Sequence, residues 1–166
     1  MTKKYFGGTA LKHEITEALD KELFSFAKDS IAKYLKCMDS YLNADACSAI
    51  LDLAKRCNKY IDETMPWALA KDEAQKDRLN DVLYNLSDLI KIIGVLLRPI
   101  MPETAQNIVG DANSLELRAA DSYTPKESAN LFPRLDMEKV LAEIASEQEA
   151  KAKAEEKAKK AAKENK

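Results

Sequence analysis

Between residues 72 and 98, apolar side chains return every three or four positions: Leu79, Val82, Leu83, Leu86, Ile90, Ile93 and Leu97. Leu89, Ile92 and Leu96 widen that stripe. The period is that of an α-helix. A stripe this wide predicts burial on more than one side, so other helices must pack around this one. Pro99 ends the helix, because proline cannot donate the next backbone hydrogen bond.

The rest of the chain supplies the partners. Leu23, Ala27, Ile31, Tyr34, Leu35 and Met38 predict a first amphipathic helix. Asn43 is the expected N-cap of a second, with Asp45 in its first turn and Ile50, Leu53, Ala54, Cys57 and Ile61 facing inward. This helix should stop near Met65, because Pro66 disfavours helical geometry in the residue before it. Pro102 suits the first turn of a short helix closed by Gly110. Residues 1–12 read as irregular around Gly7 and Gly8, and residues 111–134 as a loop with Leu131 and Phe132 tucked in. Only four Gly and five Pro occur in 166 residues, and no strand pattern competes. The expected fold is all-α, an antiparallel helical bundle over 1–144.

Residues 145–166 are almost only Ala, Lys and Glu. Glu147 with Lys151, Glu149 with Lys153, Glu155 with Lys159 and Glu156 with Lys160 are pairs spaced for a helix. A solvated helical or frayed linker is expected, since Glu interrupts every basic run.

Composition excludes several functions. The net charge of −2 gives no overall field for nucleic acid, although a local patch suffices. Three cysteines without a C-x-x-C spacing argue against a disulfide framework or zinc site, and for a reducing compartment. With no signal-peptide pattern and no apolar run long enough to span a bilayer, a cytoplasmic protein with no membrane partner is expected. His13 is the only histidine and is expected at the surface or in a cap. There is no Gly-rich phosphate loop, nucleophile elbow or metal-ligand spacing.

One feature remains: "NKYIDETMPWALAK", residues 58–71, places the only Trp directly after a proline where a helix stops. Trp67 could be core or a wedge at the hinge. The residues alone favour that reading over a platform for a ligand, which is suggested because Pro66 holds the backbone before the ring and Lys55, Arg56, Lys59 and Lys71 lie nearby in sequence. Cations around an aromatic plane suit a phosphodiester with a stackable base.

This stretch, followed by "RLNDVLYNLSDLIKIIGVLLRPIMPETAQNI", resembles the anticodon-binding helical domain of methionyl-tRNA synthetase. The opening "KKYFGG" is similar to that family's turn before the bundle, and "LFPRLD" to the segment after it. The resemblance covers residues 3–144. Its P-W-x-L-A-K cluster separates this family from the isoleucine, valine, leucine and cysteine enzymes, which share the bundle. It implies that Trp67 stacks on a base of the CAU anticodon of methionine tRNA and that Pro66 shapes the site. Lys3, Lys4, Arg56, Lys59 and Lys71 are the candidates for phosphate contacts, against the alternative of solvated charges.

The resemblance further implies a fragment of a class I methionine–tRNA ligase, with Met1-Thr2 as an artificial start and no activity or cofactor of its own. ATP and zinc would belong to the catalytic domain of the same parent chain, whose HIGH- and KMSKS-type signatures are not in this sequence. An Asn and an Arg that read base edges would lie on a helix before the "KYF" turn. The expected partners are tRNA and that catalytic domain, not DNA. The alternative is a non-catalytic helical module for protein interaction or assembly, with Trp67 as an anchor.

Overall fold

The computed structural model describes residues 2–109, 120–124, 131, 132, 134 and 136–164. Its elements in chain order are α1 (Thr2–Tyr5), β1 (Ala10–Leu11), α2 (Ala18–Asp39), α3 (Asn43–Thr64), α4 (Pro66–Leu69), a 3-10 turn (Glu73–Gln75), α5 (Lys76–Leu97), α6 (Pro102–Val109), β2 (Ser122–Tyr123) and α7 (Met137–Glu164). The chain divides into two compact units, Met1–Ala129 and Asn130–Lys166.

The first unit is an all-α bundle built on α2, α3 and α5, as the apolar stripes require. Leu23, Ala27 and Tyr34 of α2 meet Ile50, Leu53 and Tyr60 of α3 and Val82, Leu89 and Ile92 of α5 in one buried cluster. Helix α2 reverses into α3 through three residues. The Leu42 N–H donates to the Cys37 carbonyl at 2.8 Å, and the Tyr41 N–H to the Met38 carbonyl at 3.1 Å. That double bond pattern usually ends on glycine; here Tyr41 takes the left-handed conformation, with φ 57°. Helix α6 folds back on α5 at Gly94. A Cβ there would stand 2.5 Å from Val109 Cγ2 and 2.8 Å from Ile108 Cγ2. Gly94→Ala should therefore destabilise the unit by about 1–2 kcal/mol, since overpacking outweighs alanine's better helix propensity. Chemical denaturation with an unchanged m-value would check this.

Several expectations are corrected. Helix α3 starts at Asn43 itself, with Leu42 in the N-cap position and no side-chain cap hydrogen bond. Leu35 and Ile90 are 51% and 52% exposed, because three-four spacing also marks the rim of a stripe. Phe132 is 65% exposed rather than tucked in. Residues 2–12 are not wholly irregular. One helical turn runs into Gly7, which has φ 59°, and β1 then pairs antiparallel with β2, Ala10 opposite Tyr123 and Leu11 opposite Ser122. Strands of two residues leave no alternation to detect. The expected closure at Gly110 and most of the 111–134 loop lie outside the described residues.

In the second unit, Asp136 caps α7, its Oδ1 accepting the N–H groups of Glu138 and Lys139 at 3.1 and 3.4 Å. Met137, Leu141 and Ile144 form an exposed apolar edge of this helix. Helix α7 passes unbroken through the 144–145 composition boundary.

Candidate nucleic-acid interface

Helix α3 ends at Met65, whose backbone is left-handed with φ 44° and ψ 61°. Non-glycine residues rarely adopt that conformation. It turns the chain sharply, and Pro66 then opens α4 at its first position, where the missing N–H costs nothing. The Met65 carbonyl accepts the N–H of Ala68 at 2.7 Å and of Leu69 at 3.2 Å, and the Pro66 carbonyl accepts that of Ala70 at 3.0 Å. Pro66 is fully buried. Leu69 packs against both apolar clusters of the first unit. Trp67 lies between these two anchors and remains 45% exposed. A side chain on a fixed backbone, open to solvent over much of its surface, can serve as a stacking platform.

The cations expected around it differ in availability. Lys59 is 68% exposed, with Nζ 3.5 Å from Glu63 Oε1, and Lys71 is exposed. Lys4 is exposed, with Nζ 5.4 Å from the centre of the Tyr5 ring. The side chain of Lys3 lies outside the described residues. Arg56 is not a surface charge: it is 8% exposed. Its guanidinium donates to Glu63 Oε2 at 2.9 Å and to Glu22 Oε1 at 3.3 Å. A buried guanidinium already neutralised by two carboxylates is poorly placed to meet a phosphate.

The helices that flank this turn in sequence, α3 and α5, share a polar cluster with α2 that the sequence did not announce. Asp20 of α2 is 1% exposed. Arg78 of α5 donates to both of its oxygens, at 2.6 and 2.8 Å, and the Tyr60 hydroxyl of α3 donates to its Oδ1 at 2.7 Å. Asn85 Nδ2 donates to the Tyr60 oxygen at 3.2 Å, and Asn85 Oδ1 faces His13 Nε2 at 2.9 Å. Burial alone would raise the Asp20 pKa, but the bonds from Arg78 and Tyr60 and the Arg78 charge outweigh it and hold the carboxyl below its usual range. His13, expected at the surface or in a cap, instead faces inward toward Asn85, with an 11% exposed side chain. The signal for this cluster was a polar residue on each apolar stripe, Asp20 beside Leu23 and Asn85 beside Leu86.

Asn80 bonds both backbone groups of Leu11, accepting from its N–H at 3.0 Å and donating to its carbonyl at 2.9 Å. It thereby holds β1 against α5.

Among the described residues no three His, Cys, Asp or Glu side chains come together in a set that could hold a metal ion, and no helix is long and apolar enough to cross a membrane. Cys57 is 6% exposed, and burial pushes its thiol up to about 11. The folded state therefore keeps a proton that the unfolded chain loses near pH 9. Stability should fall between pH 9 and about 11, by at most about 3 kcal/mol from this group. Urea melts of the Cys57→Ala variant beside the parent should show a shallower alkaline decline.

The family described as anticodon-binding domain of tRNA ligase matches residues 20–166. The methionine–tRNA ligase of Caldanaerobacter subterraneus is 38% identical over 163 residues, covering 92% of this chain and 26% of that protein. The Bacillus subtilis methionine–tRNA ligase is 35% identical over 172 residues, covering 96% of this chain and 26% of that protein. The chain thus spans about a quarter of the length of these curated relatives. The fold is similar to part of the apo methionyl-tRNA synthetase of Mycobacterium tuberculosis, with TM-score 0.73, 24% identity, and coverage of 82% of this chain and 30% of that one. A structure of the same enzyme bound by methionyl-adenylate gives TM-score 0.68 at 24% identity, covering 80% of this chain and 28% of that one.

Proposed function

The chain belongs to the anticodon-binding domain family of tRNA ligases, and from that premise we propose that it reads the CAU anticodon of methionine tRNA within a methionine–tRNA ligase. The observation that carries this reading is the half-exposed Trp67 on a backbone fixed by Met65 and buried Pro66. Its indole stacks on an unpaired base of the anticodon loop, and Pro66 sets the angle at which the ring meets it. Stacking contributes on the order of 1–3 kcal/mol per base and is tolerant of sequence. Choice of CAU then needs hydrogen bonds to base edges from other residues.

Lys59 and Lys71, which flank Trp67 in sequence, supply phosphate contacts, with Lys3 and Lys4 as further candidates. Arg56 is left out, because Glu22 and Glu63 occupy its guanidinium. With few candidate cations around Trp67 and a net charge of −2, binding by this chain alone is weak and falls with salt. In the ligase, ATP-dependent joining of methionine to tRNA takes place in a catalytic domain of the same chain, and the present domain holds the far end of the tRNA. We assign that work to the cytoplasm, where charged tRNA is used.

Equilibrium binding of a methionine anticodon stem-loop at low and moderate salt tests the proposal. The CAU loop should bind more tightly than the same stem closed into a continuous duplex. Equal affinity for both would leave only charge attraction and remove the anticodon role.

A further inference from the structure

We infer that Asp20, Tyr60 and Arg78 are positioning residues that tie together the two ends of the turn bearing Trp67, and so fix the ring for stacking. The inference rests on the proposed anticodon role for its purpose, but its geometry stands apart from it. Trp67 lies between Tyr60 near the end of α3 and Arg78 in the first turn of α5. Both donate to one carboxylate, Asp20, which is almost fully buried on a third helix. The carboxylate acts as a staple across the base of the turn.

The path from staple to ring is short. The Thr64 hydroxyl donates to the Tyr60 carbonyl at 2.7 Å, and the Met65 N–H donates to that of Ile61 at 2.9 Å. These bonds fix the last turn of α3 directly before left-handed Met65 and Pro66. On the far side the Asp72 side chain accepts the Ala74 N–H at 3.0 Å, leading the chain into α5 and Arg78. Tyr60 also accepts from Asn85, so its hydroxyl has a fixed role: it accepts from the amide and donates to Asp20. Hydrogen bonds of opposite direction on one hydroxyl restrict its rotation more than a single bond does. A buried charge pair costs desolvation, so the pair as a whole adds little net stability even though removing one partner is costly; its value here is placement of the three helix ends.

Tyr60→Phe keeps the ring in its packing and removes only the hydroxyl. Arg78→Lys keeps the charge and removes the two-pronged grip. Tyr84→Phe removes a comparable phenol bond, to the Ala120 carbonyl at 2.5 Å, in the other apolar cluster and serves as the control. Because Trp67 is the only Trp, fluorescence anisotropy decay and acrylamide quenching report on that ring alone. In Tyr60→Phe and Arg78→Lys the ring should show a new fast anisotropy component and easier quenching. Tyr84→Phe should lower the melting temperature similarly with neither change. Affinity for the CAU stem-loop should fall about three- to tenfold in the two staple variants. Unchanged anisotropy and quenching in both staple variants, or equal change in the control, would overturn the staple. A ring that loosens while stem-loop affinity holds would uphold the staple and contradict the anticodon role instead.

Discussion

Trp67→Ala is expected to weaken binding of a CAU stem-loop by about one to two powers of ten while the melting temperature moves little. Truncating a half-exposed side chain leaves no large cavity, so the stability cost stays small. Pro66 and Leu69, which anchor the turn, are untouched. In a full-length ligase carrying this domain, tRNA charging should fall by the same factor, since the lost interaction acts only when tRNA is engaged. Methionine activation by ATP should persist, because that reaction does not require the anticodon. Equal loss of both activities would assign Trp67 to folding.

Asp20→Ala should have the largest effect on stability, about 3 kcal/mol, or roughly 10 °C in the melting temperature. It strips Arg78 of both hydrogen bonds and leaves the buried Tyr60 hydroxyl without its acceptor. The Arg78 side chain, 21% exposed, can turn partly to water, which limits the loss. Because the carboxyl is held below its ordinary range, its contribution is fully present at neutral pH. It disappears as pH falls through the ordinary carboxylate range and the lower folded value. The parent and Asp20→Ala melting curves should therefore draw closer in strong acid, by the part of the difference that depends on ionisation. A constant difference across that range would mean that the carboxylate is not a stabilising charge.

The bundle was legible because wide apolar stripes on α2, α3 and α5 admit few other solutions, and prolines marked where α3 and α5 stop. The position of Trp67 at the stop of α3 was legible from Pro66, but the residues alone favoured a core or hinge role, and only the family resemblance pointed to a stacking one. Its surroundings were not legible. Sequence proximity put Arg56 beside Trp67, yet helical geometry turns position 56 inward toward Glu22 of α2. Ion pairing across helices depends on tertiary register, which no local spacing reveals. His13 and Asn80 were hidden for the same reason: their partners lie 72 and 69 residues away. The β1–β2 pairing joins segments more than a hundred residues apart and is too short to leave a period in either.

The most direct measurement is the fluorescence of Trp67 during titration with a methionine anticodon stem-loop. With Trp67 as the only Trp, stacking on a base should quench its emission and shield it from acrylamide, saturating with the bound fraction and failing with a loopless duplex. Saturable binding that leaves Trp67 emission and acrylamide access unchanged would contradict the stacking role and return the domain to a helical module for protein contacts.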